Sequence, residues 1–360
     1  MALYQFFKEK ELRGQSLVLV TVFETAGSTY SKAGQHMIID ADGNFCGMLS
    51  GGCLEGDLVE RARTVTESGE AQTATYDLGA DDELWGLGVG CDGTMRVLLQ
   101  PLSKENDYQP FAAIAEVLNG GTPALIATVI ASELVTVEPG AAVVFREDES
   151  NSFGIDDDIV ERITRETSFA GVAVTRNIEY RNGSCRVLVS KLSPAPALLI
   201  FGAGLDSEPL ARFAAELGWR CTVVDHRPAY IEARNYPPHT QSLCCNTDEL
   251  DTHVDLDAYD MAIVMSHHLV SDRSYLERLA HSRVGYVGLL GPPGRRDRLL
   301  DELGDLATNL RDRLRGPAGI VLGGRGPGPI ALEIVAEMQQ YLAERGQVGG
   351  SVDVGRSGFE

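Results

Sequence analysis

The sequence lacks the features of a membrane-spanning or secreted protein. No apolar run is long enough to cross a bilayer, and the first ten residues do not show the charged-then-apolar order of a signal peptide. The seven cysteines are scattered, odd in number, and without the paired spacing of a zinc site or a disulfide framework. Because such thiols are most simply explained as reduced, we expect a cytoplasmic protein.

Basic residues are also scarce. The chain has 31 Lys and Arg against 52 Asp and Glu, and its net charge of −21 would repel the phosphate backbone of a nucleic acid. The densest basic cluster, Arg295-Arg296-x-Arg298, is interleaved with acidic residues and predicts a solvated helix face or a small anion site. We therefore expect neither a nucleic-acid partner nor a membrane span.

What is present is an ordinary globular composition, 44% hydrophobic and 23% charged, in 360 residues. That length suits two domains, and Pro194-x-Pro196 marks a boundary because proline interrupts regular structure. We predict an N-terminal mixed α+β region over 1–193, which could divide into 1–102 and a middle segment 103–193. A Rossmann-like domain over 194–345 and a flexible tail over 346–360 follow.

Hydrophobic periodicity predicts the elements of the N-terminal region. A hairpin turn at Asp42-Gly43-Asn44 joins two strands, and the acidic stretch 146–158 predicts a surface loop leading into a helix. The predicted strands span 16–23, 36–40, 73–77, 94–100, 124–130, 142–145 and 184–192, and the clearest helices span 54–67 and 111–118.

The most informative stretch begins at Ala197. An apolar run from Ala197 to Phe201 leads into Gly202-x-Gly204, a helical pattern follows, and a second apolar run ends on Asp225. This order is typical of a dinucleotide-binding unit, in which the glycines let the backbone approach a phosphate and the acid accepts a hydrogen bond from a ribose hydroxyl. Ser207 stands where the third glycine of the pattern is expected.

Strands then alternate with helices, which implies an α/β fold with a doubly wound parallel sheet. His267 and His268 follow the fourth strand at the carboxyl edge of the sheet, where they could contact a ligand or relay protons. The turn from Gly323 to Pro327 is a further candidate for anion binding. The predicted strands span 197–201, 221–225, 240–244, 260–265 and 284–288, and the last helix spans 328–344.

Two glycine-rich loops of the N-terminal region each carry a cysteine. Gly51-Gly52-Cys53 leads into a helix whose first turn would favour the thiolate, although a packing turn with a small buried cysteine is the alternative. Four glycines between 86 and 93 surround Cys91, a pattern typical of a loop that contacts a ligand or moves, or of an irregular start to a strand. Gly27-Ser28-Thr29, with Lys32, could bind an oxyanion.

Together these motifs resemble the XdhC/CoxI family over nearly the whole chain. Where the family often has arginines in its first motif, this chain has Ser31 and His36, and Lys32 lies between them. The motifs are Gly27-Ser28-Thr29, Gly34-x-x-Met37, Ser50-Gly51-Gly52-Cys53-Leu54-Glu55, Trp85-Gly86-Leu87-Gly88-x-Gly90-Cys91-x-Gly93, Leu199-Ile-Phe-Gly-Ala-Gly204, Asp225-His-Arg-Pro228, Ser266-His267-His268 and Tyr286-Val-Gly-Leu-Leu-Gly291.

The resemblance implies a maturation factor for a molybdenum hydroxylase of the xanthine dehydrogenase type, a chaperone rather than a turnover enzyme. Such a protein holds the molybdenum cofactor, as molybdopterin or its cytosine dinucleotide, while a terminal oxo group is exchanged for sulfur. It then delivers the cofactor to the apoenzyme. The implied partners are the apo-hydroxylase and a cysteine desulfurase, and a homodimer stays open.

The motifs and the resemblance give the candidate site residues. Cys91 and Cys53 are the thiols expected to meet the molybdenum or to carry its sulfur, with Cys91 as the metal contact. The residues expected to bind the cofactor are Gly27, Ser28, Gly51, Gly52, Gly90, Gly202, Gly204, Asp225, His267 and His268.

Two alternative functions stay open. An NAD(P)-dependent oxidoreductase could be built on residues 197–345, with His267 or His268 as the proton donor. A cysteine-based sulfur carrier could use Cys53 or Cys91, and this hypothesis overlaps with cofactor maturation.

Overall fold

The computed structural model describes residues 2–78, 93–120, 122–147, 149–166, 173–181 and 183–345. The chain divides into two compact units, Met1–Pro194 and Ala195–Glu360. None of the helices within the described ranges combines the length and apolar character that a bilayer crossing requires. The predicted tail, 346–360, lies outside the described residues.

The first unit begins with a helix and a five-stranded antiparallel sheet of order β3-β2-β1-β5-β4. The predicted hairpin turn is confirmed, because Asp40 accepts hydrogen bonds from the backbone N–H groups of Asp42 and Asn44 at 2.9 and 2.8 Å. Lys10 pairs with Asp40 at 2.6 Å and so ties the first helix, which the pattern did not predict, to this hairpin. The elements are α1 (Ala2–Leu12), β1 (Leu17–Gly27), β2 (His36–Asp40), β3 (Phe45–Cys46), α2 (Glu55–Ser68), β4 (Gln72–Asp77) and β5 (Gly93–Leu102).

A second five-stranded antiparallel sheet completes this unit, in the order β8-β7-β6-β10-β9. Its elements are α3 (Phe111–Leu118), β6 (Ala124–Ser132), β7 (Ala142–Phe145), β8 (Ser150–Phe153), α4 (Asp157–Glu166), β9 (Val174–Tyr180) and β10 (Gly183–Leu192). The prediction of a loop over 146–158 is wrong in its middle, where β8 pairs with β7. Backbone pairing and the packing of Phe153 against the core hold this otherwise polar strand at the sheet edge.

Three large hydrophobic clusters stabilise the first unit. One packs α2 on the first sheet through residues such as Leu58, and another packs α4 on the second sheet through Ile159. The third joins α1 and α3 to strands of both sheets, with the rings of Phe7 and Phe111 5.1 Å apart. The two sheets therefore share a core and form one unit.

The second unit is built on a six-stranded sheet of order β13-β12-β11-β14-β15-β16, in which every pairing is parallel. The predicted doubly wound architecture is confirmed. The elements are β11 (Ala197–Phe201), α5 (Ser207–Glu216), β12 (Arg220–Asp225), α6 (Pro228–Glu232), β13 (Gln241–Cys244), α7 (Leu250–His253), β14 (Met261–Val264), α8 (Leu269–His281), β15 (Tyr286–Leu289), α9 (Pro293–Leu303), β16 (Leu314–Arg315) and α10 (Pro327–Glu344).

Helices cover both faces of this sheet. Leu276 of α8 and Leu299 of α9 belong to one hydrophobic cluster, and Leu210 of α5 and Met338 of α10 belong to the other. The strand order changes direction between β11 and β14. In this architecture ligands bind outside the carboxyl ends of the strands at such a switch point, so a ligand is expected at the loops after β11, β12 and β14.

Candidate functional site

Gly202, the first residue after β11, touches the backbone of the neighbouring strand. Its φ is +115°, and a Cβ there would lie 2.6 Å from Cα of Ser266 and 2.7 Å from the carbonyl oxygen of Met265. No side chain fits at such distances. Gly202 is therefore required by the packing of the loop after β14, whether or not a phosphate approaches.

Gly204 faces His267, the first of the two predicted histidines. A Cβ at Gly204 would lie 3.7 Å from Cδ2 of this imidazole, and Nε2 of His267 is 3.1 Å from Oδ2 of Asp206. His267 has a φ of +59°, a left-handed conformation that costs energy in a non-glycine residue. A histidine–aspartate pair thus covers the face of the turn that a phosphate was predicted to approach.

Ser207, in the place of the third glycine, anchors the start of α5. It is fully buried, its Oγ donates to the carbonyl of Gly204 at 2.7 Å, and the same oxygen lies 2.8 Å from the hydroxyl of Tyr236. Burial raises the pKa of Tyr236 to about 12, so this hydroxyl stays protonated at neutral pH. The serine therefore serves a structural contact that a glycine could not make.

Asp225, predicted to accept from a ribose, is buried and already has several donors. Its carboxylate accepts from the backbone N–H groups of Ala203 at 2.7 Å and Arg227 at 2.9 Å, and from Nε and Nη2 of Arg227 at 2.9 and 2.8 Å. Burial alone would raise the pKa of Asp225, but these donors lower it below its ordinary value. The carboxylate of Asp225 therefore bridges Arg227 and the backbone of Ala203 in the turn after β11.

His268 points away from its neighbour His267. It is the N-cap residue of α8, and its Nδ1 lies 2.9 Å from Oγ of Ser271. Its ring centroid is 6.3 Å from that of His226. The structure thus separates the predicted histidine pair: His267 lies on the glycine turn, whereas His268 lies beside the loop after β12.

A second buried carboxylate holds the end of β14. Asp272 accepts from Oγ of Ser266 at 2.5 Å and pairs with Nη2 of Arg295 at 2.6 Å. Within the predicted basic cluster, Arg296 and Arg298 also have partners, the carbonyl of Gly316 and Glu302. The cluster is accordingly a set of paired side chains on α9.

The predicted anion turn before α10 contains a carboxylate of the chain itself. Oε1 of Glu333 accepts from the backbone N–H groups of Leu322 and Gly323 at 3.0 Å and of Gly324 at 3.3 Å. The sequence correctly identified a nest of backbone donors here. It did not identify the side chain that fills the nest.

The Ser50–Cys53 loop of the first unit is filled in the same way. Glu55, only 3% exposed, accepts from the backbone N–H groups of Leu49, Ser50 and Gly52 at 2.9 to 3.0 Å and from Oγ of Ser50 at 2.5 Å. Burial alone would raise the pKa of Glu55, but these donors lower it. The negative charge that the glycine loop attracts is therefore the protein's own.

Cys53 lies just outside the helix rather than in its first turn, because α2 begins at Glu55 with Leu54 as its N-cap residue. The thiol is half-buried and packs at the edge of the hydrophobic cluster beneath α2. The predicted helix position of Cys53 is therefore wrong by two residues. Gly90 and Cys91, the other thiol loop, lie outside the described residues.

The described parts of the N-terminal motifs lie together at one corner of the first sheet. Oγ of Ser31 donates to the carbonyl of Met48 at 3.1 Å, and a Cβ at Gly51 would lie 3.5 Å from the ring of Tyr30. A Cβ at Gly93 would lie 2.4 Å from the carbonyl oxygen of Ser28, so only glycine fits there.

The two described residues that flank 79–92, the range that contains Cys91, lie close to this corner. The backbone N–H of Leu78, the last residue before the segment, donates to the carbonyl of Gly93, the first residue after it, at 2.7 Å. Leu78 and Gly93 therefore lie beside the turn that carries Gly27 and Ser28.

The described residues contain no cluster of three or more His, Cys, Asp or Glu side chains able to hold a metal ion. An open cavity of about 720 Å³ in the second unit lies between α7 and the C-terminal end of α8, lined by residues such as Asp255 and His281. The cavity is thus at the opposite end of α8 from His268 and includes none of the predicted site residues.

The sequence placed His226 and Arg227 with Asp225 at the carboxyl edge of the sheet without naming them as cofactor-binding residues, and it did not single out Asp206. The signal for Arg227 was its spacing of two residues from a strand-terminal Asp225, which allows a local ion pair. Asp206 gave no comparable signal, since its partner His267 is 61 residues away.

Comparisons with known proteins extend over both units. Residues 198–338 match the family model described as the XdhC Rossmann domain, and residues 12–77 match the model of the XdhC and CoxI family. A Bacillus subtilis (strain 168) protein, named as a probable subunit of xanthine dehydrogenase, is 28% identical over 328 residues, 91% of this chain and 93% of that protein.

A second relative is the Escherichia coli (strain K12) protein named "Molybdenum cofactor insertion chaperone PaoD". It is 22% identical over 337 residues, 93% of this chain and 86% of that protein. A crystal structure from Bacillus halodurans, described as a xanthine dehydrogenase, superposes with a TM-score of 0.77 at 28% identity. The match covers 97% of this chain and 98% of that one.

Proposed function

Because the chain belongs to the XdhC/CoxI family, we propose that it binds the molybdenum cofactor and serves the maturation of a molybdenum hydroxylase of the xanthine dehydrogenase type. It would hold the cofactor during sulfuration and deliver it to the apoenzyme, and a cysteine desulfurase is the proposed sulfur source. The observation that carries this proposal is the likeness across both units to a relative named as a cofactor insertion chaperone.

We place the molybdenum end of the cofactor at the corner of the first unit where the Gly27–Ser28 and Gly51–Cys53 loops come together. Cys91 and Cys53 are the proposed thiols, because thiolate sulfur suits a soft metal. The half-buried position of Cys53 supports this role, since the thiol is neither sealed in the core nor freely solvated. The convergence of Ser31 with Met48 and of Tyr30 with Gly51 supports a single site there.

The proposal is tested by mixing the purified apoprotein with cofactor released from a molybdenum hydroxylase and measuring the pterin and molybdenum that co-elute with it. Retention at micromolar protein is expected. Absence of both pterin and molybdenum from the protein fraction would contradict the proposal. Client activation is then measured by adding the loaded protein to the apo-hydroxylase.

The thiol roles are tested separately. Cys53→Ala and Cys91→Ala should each reduce retention or client activation with little loss of folding stability. Cys46→Ala is the matched control, because Cys46 is also half-buried in the first unit and is not one of the proposed thiols. If both cofactor-site variants activate the client as well as the control does, the thiols are structural.

The competing function is an NAD(P)-dependent oxidoreductase of the second unit. Its predicted contacts are engaged within the protein: Gly204 is covered by the His267–Asp206 pair, and Asp225 holds Arg227. Calorimetric binding of NAD and NADP, with turnover assays on alcohols and aldehydes, decides between the two. Tight nicotinamide binding with hydride transfer that is lost on changing His267 or His268 would overturn the proposed function.

A further inference from the structure

The geometry points to a subsite for a phosphate ester at the end of β12, one strand away from the glycine turn. His226, Arg227, Tyr230 and His268 form this subsite, here called the β12 corner. The inference rests on the proposed function only for the identity of the natural ligand. Binding of a simple phosphate ester to the β12 corner can be measured by itself.

The usual phosphate position in this fold, at the start of α5, is already filled. Asp206 precedes the helix and Glu208 lies in its first turn, so two carboxylates occupy the end of the helix dipole that attracts anions. His267 pairs with Asp206 over Gly204, and Glu208 accepts from the backbone N–H of Asn235 at 2.9 Å. A ligand phosphate would have to displace these partners.

Arg227 offers what the glycine turn does not. Its Nε and Nη2 bind the two oxygens of Asp225 along one edge of the guanidinium, which leaves the N–H groups of Nη1 and the second N–H of Nη2 for another acceptor. Nη1 has no hydrogen-bond partner within the described ranges. A guanidinium presents a planar pair of donors that matches a phosphate group.

The orientation of Arg227 is fixed before any ligand arrives. Its guanidinium carbon lies 3.6 Å from the centroid of the Tyr230 ring, and the side chain is 29% exposed. Asp225, 1% exposed, holds the other edge. Because the side chain is already ordered, little conformational entropy is lost when it binds an anion.

Two imidazole rings lie close together at the same end of β12. The rings of His226 and His268 are 6.3 Å apart. Nδ1 of His226 is buried and has no hydrogen-bond partner among the described residues, since the nearest carboxylate oxygen, on Asp225, is 3.6 Å away.

Asp225 is then a positioning residue, and Arg227 is the residue that contacts the ligand. This differs from the sequence-based prediction, in which Asp225 itself accepts a hydrogen bond from a ribose. The inference therefore assigns preference for phosphorylated over neutral ligands to Arg227.

The test is isothermal titration calorimetry of the full chain with CDP as the probe and inorganic pyrophosphate as a second titrant. Arg227→Ala should weaken CDP binding by roughly tenfold or more, the usual cost of losing a charged hydrogen bond. Arg227→Lys should not restore it, because lysine lacks the planar fork. Arg220→Ala is the matched control: Arg220 opens the same strand at its amino end, and this variant should bind within about twofold of the parent.

Folding is controlled in the same experiment. Arg227→Ala leaves the Asp225 charge buried without its partner, so thermal unfolding of each variant is measured alongside. If Arg227→Ala does not fold, the double variant Asp225→Asn/Arg227→Met is used instead. It removes both charges and should show the same loss of CDP binding. If CDP binds and pyrophosphate does not, the nucleoside contributes to the binding energy. If pyrophosphate binds as well, the phosphate groups suffice for binding. Either pattern supports the subsite when the Arg227 variants weaken it.

The subsite would be overturned if the parent bound neither CDP nor pyrophosphate, or if the folded Arg227 variants bound CDP as tightly as the parent. It would also be overturned if Gly204→Val lost CDP binding while the Arg227 variants kept it. These results are distinct from failure of the proposed function, which is measured by cofactor retention. A parent chain that binds CDP through Arg227 but does not retain the cofactor would overturn the proposed function and leave the subsite standing.

Discussion

Two glycines of one turn, Gly202 and Gly204, have different surroundings and should respond differently to substitution. Gly202→Ala would place a Cβ 2.6 Å from Cα of Ser266 at a φ of +115°, so we expect a loss of about 3 kcal/mol or more in the free energy of unfolding. Gly204→Ala meets only His267 at 3.7 Å and should change it by less than about 1 kcal/mol. Urea unfolding of both variants measures this, and equal losses would contradict it.

His36 should make the first unit less stable as the solution becomes acidic. Burial lowers the pKa of His36 to about 4 from its ordinary 6.5, and Nε2 has no hydrogen-bond partner among the described residues. Between these two values the unfolded chain binds a proton that the folded chain does not, so stability falls as the pH falls from about 6.5 to 4, by roughly 3 kcal/mol in total.

The matched measurement is the free energy of unfolding against pH for the parent and for His36→Gln. The difference between the two curves isolates this residue, because all other titrations are common to both proteins. The variant should lose less stability than the parent over that range. Parallel curves would show that His36 accepts its proton in the folded state as readily as in the unfolded one.

At the scale of elements, the start of α2 depends on Glu55 rather than on an N-cap side chain. Leu54 occupies the N-cap position and gives no side-chain hydrogen bond, whereas Glu55 accepts three backbone N–H groups of the preceding loop. Glu55→Gln should therefore lower the free energy of unfolding by about 2–3 kcal/mol. The amide has one acceptor oxygen, and its NH₂ group would face backbone N–H groups that are themselves donors.

Glu60→Gln, on the same helix, is the control for this variant. The side chain of Glu60 is 65% exposed and forms a surface ion pair with Arg63, so its replacement should change stability by less than about 0.5 kcal/mol. Because the pKa of Glu55 is lowered from 4.5, its contribution is present above pH 4.5 and is lost as the pH falls through its folded-state value. Equal stability of the two variants would contradict the role given to Glu55.

At the scale of the whole molecule, the division after Pro194 should define two autonomous folding units. Among the described residues, each unit has its own sheets and its own hydrophobic clusters. Chains 1–194 and 195–360, produced separately, should each unfold cooperatively in urea. A non-cooperative transition in either would show that its stability depends on the other.

In several glycine-rich turns, a carboxylate of the chain itself accepts hydrogen bonds from the backbone. Glu55 fills the loop before α2, Glu333 fills the turn before α10, and Asp225 accepts the N–H of Ala203 in the turn after β11. The chain has a net charge of −21, and in the folded protein these carboxylates accept hydrogen bonds from backbone N–H groups instead of from water. Turns whose sequences resemble phosphate-binding sites are thus stabilised by the protein's own carboxylates.

The sequence alone determined the parallel sheet of the second unit and most strands of the first, because hydrophobic periodicity acts over a few neighbouring residues. It did not predict β8, where pairing with β7 outweighs local composition. Only the tertiary structure decided what fills each turn: Asp225 is 22 residues from Ala203, and Asp206 is 61 residues from His267. A backbone nest is encoded locally, but the side chain that reaches it is chosen by the fold, since contacts across such separations form only when the elements pack.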